Sequence, residues 1–202
     1  MLTIGNNDPE PFVSDLLPRA GSRWCEYEKK ALAIRKMAGV DITVKFDPES
    51  LARLLNFEII RLTALDGLSD QIRSQVSGDH WSGAAICTDQ LNQDCAGLII
   101  INDLQSPRRQ RATLMEEICH LLLGHKPSRL SGAGRTYDRQ IEEEAYAVGA
   151  ATLLPYKPLR ELLISGRPGP LIANHFDVST QLVRYRIRVL GLQSLSTFTP
   201  IT

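Results

Sequence analysis

The stretch that decides the fold runs from Ser106 to Gly124 and reads SPRRQRATLMEEICHLLLG. Ser106 is a typical N-cap residue, Pro107 suits the first turn of a helix, and no helix breaker follows before Gly124. Apolar residues, among them Leu114 and Ile118, recur at helical spacing along most of its surface. The sequence therefore predicts a long helix that packs into a core, called the central helix below.

Three polar side chains of the central helix have the spacing of a metal site. Glu116 and His120 are four residues apart and face the same side of the helix, and Glu117 follows Glu116 directly. In the H-E-x-x-H helix of zincins, two ligands at this spacing hold zinc and the glutamate after the first ligand is the general base. Here the first histidine is a glutamate. The pattern predicts Glu116 and His120 as ligands and Glu117 as the catalytic base.

The alternative is a solvated acidic face with a histidine near the helix C-terminus, where a cation interacts well with the helix dipole. The apolar neighbours of these residues argue against it, because polar groups held against a core need partners. A divalent cation would supply such a partner to two carboxylates and an imidazole.

Patterns outward from the central helix indicate a mixed fold. Helices are predicted from Arg23 to Met37, over 48–56 with Asp47 as N-cap, and over 139–154 up to Pro155. Strands are predicted at 57–62 and in a hairpin of 83–88 with 97–102. The predicted class is α+β: a mostly helical zincin-like peptidase domain with a small three-stranded sheet, plus a C-terminal helix-turn-helix-like module. The segment 66–79 is interpreted as helical in part.

The C-terminal segment 170–192 reads PLIANHFDVSTQLVRYRIRVLGL, with Ser179 as N-cap of its second helix. The exposed face of that helix would carry Arg184 and Arg188, with Arg186 nearby. Arg184 and Arg188 are nucleic-acid-binding candidates, although a three-helix fold without any DNA role explains the pattern as well. The expected domains are an extended arm at 1–20, a peptidase domain at 21–156 and this module at 157–202.

Composition excludes several classes of protein. Of 202 residues, 43% are hydrophobic and 23% charged, with no net charge, as in ordinary globular domains rather than disordered or fibrous chains. No apolar run approaches the ~18 residues of a membrane span, and the start lacks a basic-then-apolar leader, so we expect a cytoplasmic protein without a membrane partner. The four cysteines form no C-x-x-C pair, and Cys119 is interpreted as a buried apolar thiol rather than a ligand.

The chain resembles the ImmA/IrrE family of metallopeptidases. The likeness rests on RATLM at 111–115, the EEICH that follows, and LLLGH at 121–125. A second matching motif, downstream as in the family, is EEEA at 142–145 with LLP at 153–155. The resemblance implies Glu144 as the third metal ligand and Glu117 as the base. The departures are Glu116 for the first histidine, Tyr146 for a small polar residue and Val148 for an aromatic one.

The resemblance further implies one divalent metal, which we expect to be zinc, with manganese or iron as alternatives because a second carboxylate makes the ligand set harder. The implied function is a metal-dependent endopeptidase making limited cuts in a regulatory protein, such as a helix-turn-helix repressor. The alternative is a catalytically impaired relative that acts as a metal-stabilised regulator binding a partner or DNA. His125 is interpreted as a helix-end residue, and Tyr137 and Tyr146 as packing residues rather than oxyanion donors.

Overall fold

A computed structural model of the chain describes residues 16–19, 21–67, 69, 76, 81–87, 96–125, 130–131, 134–135 and 138–196. Almost all of the predicted arm at 1–20, and most of the predicted partial helix at 66–79, lies outside these residues. The helices of the described part are α1 (Arg23–Met37), α2 (Pro48–Leu54), α3 (Pro107–Leu122), α4 (Arg139–Leu153), α5 (Tyr156–Ile164), α6 (Gly169–Phe176) and α7 (Thr180–Val189). The strands are β1 (Phe57–Arg61), β2 (Gly83–Cys87), β3 (Gly97–Ile101), β4 (Leu130–Ser131) and β5 (Gly134–Arg135).

The three longer strands form one small sheet in the order β1-β3-β2. β1 runs parallel to β3, with Ile59 opposite Ile99, whereas β2 pairs antiparallel with β3, with Ala85 opposite Ile99. The predicted hairpin and three-stranded sheet are therefore confirmed. Alternate residues of β3, including Ile99 and Ile101, are buried. Helix α3 packs on β2 and β3, so the central helix lies across the sheet.

The predicted helices form where local signals placed them. Asp47 accepts hydrogen bonds from the first turn of α2, and Asp138 does the same for α4. Ser106 occupies the N-cap position of α3, although its hydroxyl makes no capping hydrogen bond. Helix α3 packs most extensively on α4, and α4 in turn packs on α1. The α+β class is confirmed.

The C-terminal segment forms two helices joined by a tight turn. Asp177 ends α6 in the left-handed conformation, with φ of 53°, and the Ser179 hydroxyl accepts a hydrogen bond from the Leu182 amide of α7. Buried residues of both helices, such as Phe176 and Val183, belong to the same core cluster as Met115 of α3. The boundary at 156 stays a prediction, and one continuous core crosses it.

Among the described helices, none combines the length and the apolar character needed to cross a bilayer.

Candidate metal centre

Glu116, His120 and Glu142 come together at the crossing of α3 and α4. One candidate ligand atom from each of the three lies within 4.8 Å of the other two, and all three side chains are half-buried. The Nε2 atom of His120 lies 3.5 Å from Oε2 of Glu142. Glu116 and His120, which were predicted from their spacing on α3, thus lie close to the Glu142 carboxylate of α4.

A close approach of the two helices positions that third carboxylate. A Cβ atom on Gly149 would lie 3.3 Å from the Glu116 amide nitrogen and 3.4 Å from the Met115 carbonyl carbon. A side chain at this position would force the backbone of α3 to shift by a few tenths of an ångström. Ala145 and Glu142 precede Gly149 by four and seven residues and therefore share its helix face. The face of α4 that contacts α3 thus presents Glu142 to the site.

We expect Gly149→Val to separate the two helices at Glu116. The added methyl groups overpack a backbone contact, which costs about 1 to 3 kcal/mol of stability and pulls Glu142 away from Glu116 and His120. A thermal melt and a metal titration measure the two effects. Gln140→Val, at an exposed position of the same helix, controls for the β-branched residue. Metal affinity in Gly149→Val equal to that of the parent would contradict this account of the crossing.

Glu144 does not join this cluster. Two residues after Glu142, it projects from a different side of α4, where Lys30 of α1 donates a hydrogen bond to its Oε1. Its Oε2 lies 3.5 Å from Nε2 of His125. Burial raises the pKa of this carboxyl, but Lys30 and His125 together lower it below its usual value. The expected ligand role of Glu144 stays a prediction, and Glu142 is the carboxylate that the geometry offers at that place.

The donor set fits a divalent cation. Two carboxylates and an imidazole are ligand types found in catalytic zinc sites, and a tetrahedral site with bonds of ~2.1 Å separates its ligand atoms by about 3.4 Å. Donor atoms already within 4.8 Å of one another reach that separation through small side-chain rotations. With three protein ligands, such a site keeps a position for water or substrate.

Glu117, the predicted base, lies beside the sheet. A Cβ atom on Gly83, at the start of β2, would lie 3.4 Å from Cγ of Glu117, 2.7 Å from Cγ2 of Thr113 and 3.0 Å from the Ile100 carbonyl oxygen. The absence of a side chain at Gly83 therefore lets β2 run directly over the central helix. Glu117 is half-buried between the cluster and the strand.

A second histidine contacts the site, and sequence reasoning missed its part. Nδ1 of His125 lies 3.1 Å from Nδ1 of His120, and the two rings meet edge to face with centroids 5.1 Å apart. His125 had been interpreted only as a helix-end residue. The available signal was the Gly124-His125 pair directly after the helix, since a glycine there turns the next residue back over the last turn.

Tyr146 and Cys119 flank the cluster. Burial and the nearby Glu116 carboxylate raise the pKa of the Tyr146 phenol. The Tyr146 ring packs edge to face on Tyr185 of α7, with centroids 4.8 Å apart. Cys119 is a fully buried free thiol, and burial strongly raises its pKa, which agrees with its interpretation as an apolar packing residue. Tyr137 lies outside the described residues.

The three arginines of α7 differ in their surroundings. Arg184 and Arg188 are exposed, and the guanidinium of Arg188 lies 5.9 Å from the centroid of Tyr185. Arg186, by contrast, is 1% exposed and forms an ion pair with the buried Glu28 of α1. Nucleic-acid binding by Arg184 and Arg188 stays a prediction.

Comparison with models of known protein families identifies the family of this chain. The model of the IrrE N-terminal-like domain, a peptidase family, matches residues 76–188, more than half of the chain. The chain belongs to the ImmA/IrrE family. The matched range of this ImmA/IrrE protein contains Glu116, His120 and Glu142, and it continues past the predicted domain boundary to Arg188. Among curated proteins, none matches the chain.

Proposed function

We propose that this ImmA/IrrE protein is a metal-dependent endopeptidase that makes limited cuts in a regulatory protein. The observation that carries the proposal is the cluster of Glu116, His120 and Glu142, with Glu117 next to it in the chain. Family membership supports the same reaction class. The proposed ligands are these three residues, for zinc or, given the two carboxylates, for manganese or iron.

Each of these side chains has a task in peptide hydrolysis. A bound divalent cation would polarise the scissile carbonyl and lower the pKa of a water molecule. Glu117 would accept the proton of that water and deliver it to the leaving amine. Glu116 and His120 lie one helical turn apart. By holding the cation, their side chains would fix the position of the reacting carbonyl relative to Glu117.

The sheet offers a means of holding the substrate. Among the strands of the described residues, β2 is at the end of the order β1-β3-β2, and it passes Glu117 at Gly83. An extended peptide that pairs with an end strand gains main-chain hydrogen bonds. We propose that the substrate runs along β2, with its scissile bond near Glu117.

The proposed substrate is a repressor-type protein, which rests on the family resemblance. One feature of the chain favours the catalytically impaired alternative. Glu116 is an anionic ligand in the place of the neutral first histidine of the H-E-x-x-H pattern. The extra negative charge raises the pKa of a metal-bound water and so weakens the nucleophile at neutral pH. In that case the cluster would stabilise a protein that regulates by binding a partner or DNA.

Elemental analysis of the purified protein tests the proposed metal site. We expect about one metal ion per chain in the parent, as for other sites with three protein ligands. Glu116→Ala, His120→Ala and Glu142→Ala should each lose it, because each removes one of three ligands. Glu143→Ala is the matched control, since Glu143 neighbours Glu142 but pairs with Arg23 at 2.9 Å.

Absence of metal in the parent, even after incubation with zinc, manganese and iron salts, would overturn the proposed site. Salt-sensitive DNA binding that weakens in Arg184→Ala and Arg188→Ala would then favour a DNA-binding regulator.

A further inference from the structure

Both ring nitrogens of His120 face a partner. Nε2 points to the cluster, 3.5 Å from Oε2 of Glu142, and Nδ1 lies 3.1 Å from Nδ1 of His125. A neutral imidazole carries a proton on one nitrogen and a lone pair on the other. Only the nitrogen with the lone pair can bind a metal ion. A partner that accepts the proton of Nδ1 therefore makes Nε2 the nitrogen available to a metal ion.

The contacts continue beyond His125. Its Nε2 lies 3.5 Å from Oε2 of Glu144, and Lys30 donates a hydrogen bond to the other oxygen of that carboxylate. The His125 side chain is only 8% exposed, so water has little access to its ring. A line of contacts thus runs from the metal cluster through His120, His125 and Glu144 to Lys30.

The end of α3 is built to place His125 in this line. Gly124 has φ of 68°, in the left-handed region, and its amide donates to the Leu121 carbonyl at 3.2 Å. The His125 amide donates to the His120 carbonyl at 3.0 Å. These two bonds form the Schellman motif, which folds the second residue after the helix back over its last turn. The His125 ring is thereby held against the ring of His120.

The carboxylates at both ends of the two rings decide where the protons lie. Glu142 and Glu144 are acceptors only, so without a metal ion the Nε2 atom of each ring faces an acceptor, and one of the two Nδ1 atoms must carry the proton that they share at 3.1 Å. With a metal ion on Nε2 of His120, that nitrogen would give its lone pair and Nδ1 of His120 would carry the proton. Nδ1 of His125 would then accept this proton, and Nε2 of His125 would donate to Glu144.

We propose that His125 and Glu144 are positioning residues, which hold the ring of His120 with Nε2 directed at the metal site and accept its Nδ1–H when a metal ion is bound. The inference rests on the proposed metal site for its purpose, but the contact between the two Nδ1 atoms is a property of the metal-free protein. It also gives Glu144 a place in the site without making it a ligand. Partners of this kind fix the ring of a ligating histidine, and their loss typically weakens metal binding about 10- to 100-fold.

Metal titration of the full chain tests the effect of the two residues. Zinc affinity, measured by competition with a chromophoric chelator, should fall about 10- to 100-fold in His125→Leu and in Glu144→Leu. His125→Asn should recover much of it, because the amide oxygen of Asn can replace Nδ1 as acceptor. His175→Asn is the matched control, since His175 is exposed and contacts the Thr43 carbonyl instead. Parent-like affinity in both leucine variants would overturn the proposal.

A second measurement needs no substitution. Nitrogen-15 correlation spectra of the imidazole rings, recorded with and without zinc, report which ring nitrogens carry a proton. In the metal-free parent we expect a proton on at least one of the two Nδ1 atoms, and with zinc we expect it on Nδ1 of His120. Two Nδ1 atoms that both lack a proton in the metal-free parent, or zinc bound at Nδ1 of His120, would overturn the proposal. A shared Nδ1 proton in a protein that binds no metal would support the arrangement and overturn only the proposed metal function.

Discussion

Glu117→Gln should abolish proteolysis while leaving the metal site occupied. The amide of glutamine cannot accept a proton from water, and loss of a positioned general base typically lowers the rate about 10²- to 10⁴-fold. The substitution keeps the shape of the side chain, and Glu117 is not in the cluster of Glu116, His120 and Glu142. Metal content should therefore match that of the parent. Any repressor-type protein encoded beside this chain would serve as a candidate substrate, purified singly and incubated with it, and mass spectrometry would identify the fragments.

Glu143→Gln is the control for that experiment, because it makes the same chemical change in a half-buried glutamate that pairs with Arg23. We expect it to retain both metal and cleavage. Cleavage by Glu117→Gln at the parental rate would exclude Glu117 as the base. A different outcome is a parent that binds metal through Glu116, as shown by loss of the metal in Glu116→Ala, and yet cuts none of these proteins. That result would favour the catalytically impaired regulator.

Arg186→Met should be the most destabilising change on α7. The Arg186 guanidinium donates to Glu28 at 2.5 Å and to the Leu154 carbonyl at 3.0 Å, and Glu28 also accepts the Tyr156 amide. Removing one partner leaves a buried carboxylate without its cation, which costs about 3 to 5 kcal/mol. The melting temperature should fall by about 6 to 20 °C, since ~1 kcal/mol corresponds to roughly 2 to 4 °C in a chain of this size.

Arg184→Met makes the same change two residues away at an exposed position, and we expect it to leave the melting temperature within about 2 °C of the parent, as for most surface substitutions. Combining Arg186→Met with Glu28→Met should recover part of the loss, because no buried charge is then left alone. Equal melting temperatures for Arg186→Met and Arg184→Met would contradict the buried ion pair. The pair also explains why α7 is attached to α1 and α4.

Part of the site followed from the sequence. That part depends on residues close together in the chain, and the remainder depends on contacts between residues far apart in the chain. Glu116 and His120 were expected on one face of the central helix and lie together there, because a spacing of four residues brings them together in any helix. The resemblance implied Glu144 as the third ligand, whereas the cluster contains Glu142, and both lie in the run of three glutamates at 142–144. The choice among them depends on the rotation of α4 about its own axis. That rotation is set by the contact of Gly149 with the backbone at Glu116, 33 residues earlier in the chain.

The surroundings of His125 and Arg186 likewise depend on contacts with residues far away in the sequence. His125 was correctly expected at the end of the helix, but its role depends on Glu144 and Lys30, which come from two other helices. Arg186 was expected near an exposed basic face. The structure buries it, because Glu28, 158 residues away in sequence, provides a buried partner. A long side chain with a charged end fits a core only where such a partner exists.

The sequence by itself determined the elements of this protein: the central helix from Pro107, the capped helices on either side, the hairpin, and the placement of Glu116, Glu117 and His120 on one helix. These features depend on capping, turn and periodicity signals within a few residues of one another. Only the tertiary structure decided which glutamate of α4 completes the cluster, which histidine contacts His120, and which arginine of α7 is buried. Each of those outcomes requires the relative position of two helices, which is fixed by packing between residues distant in sequence.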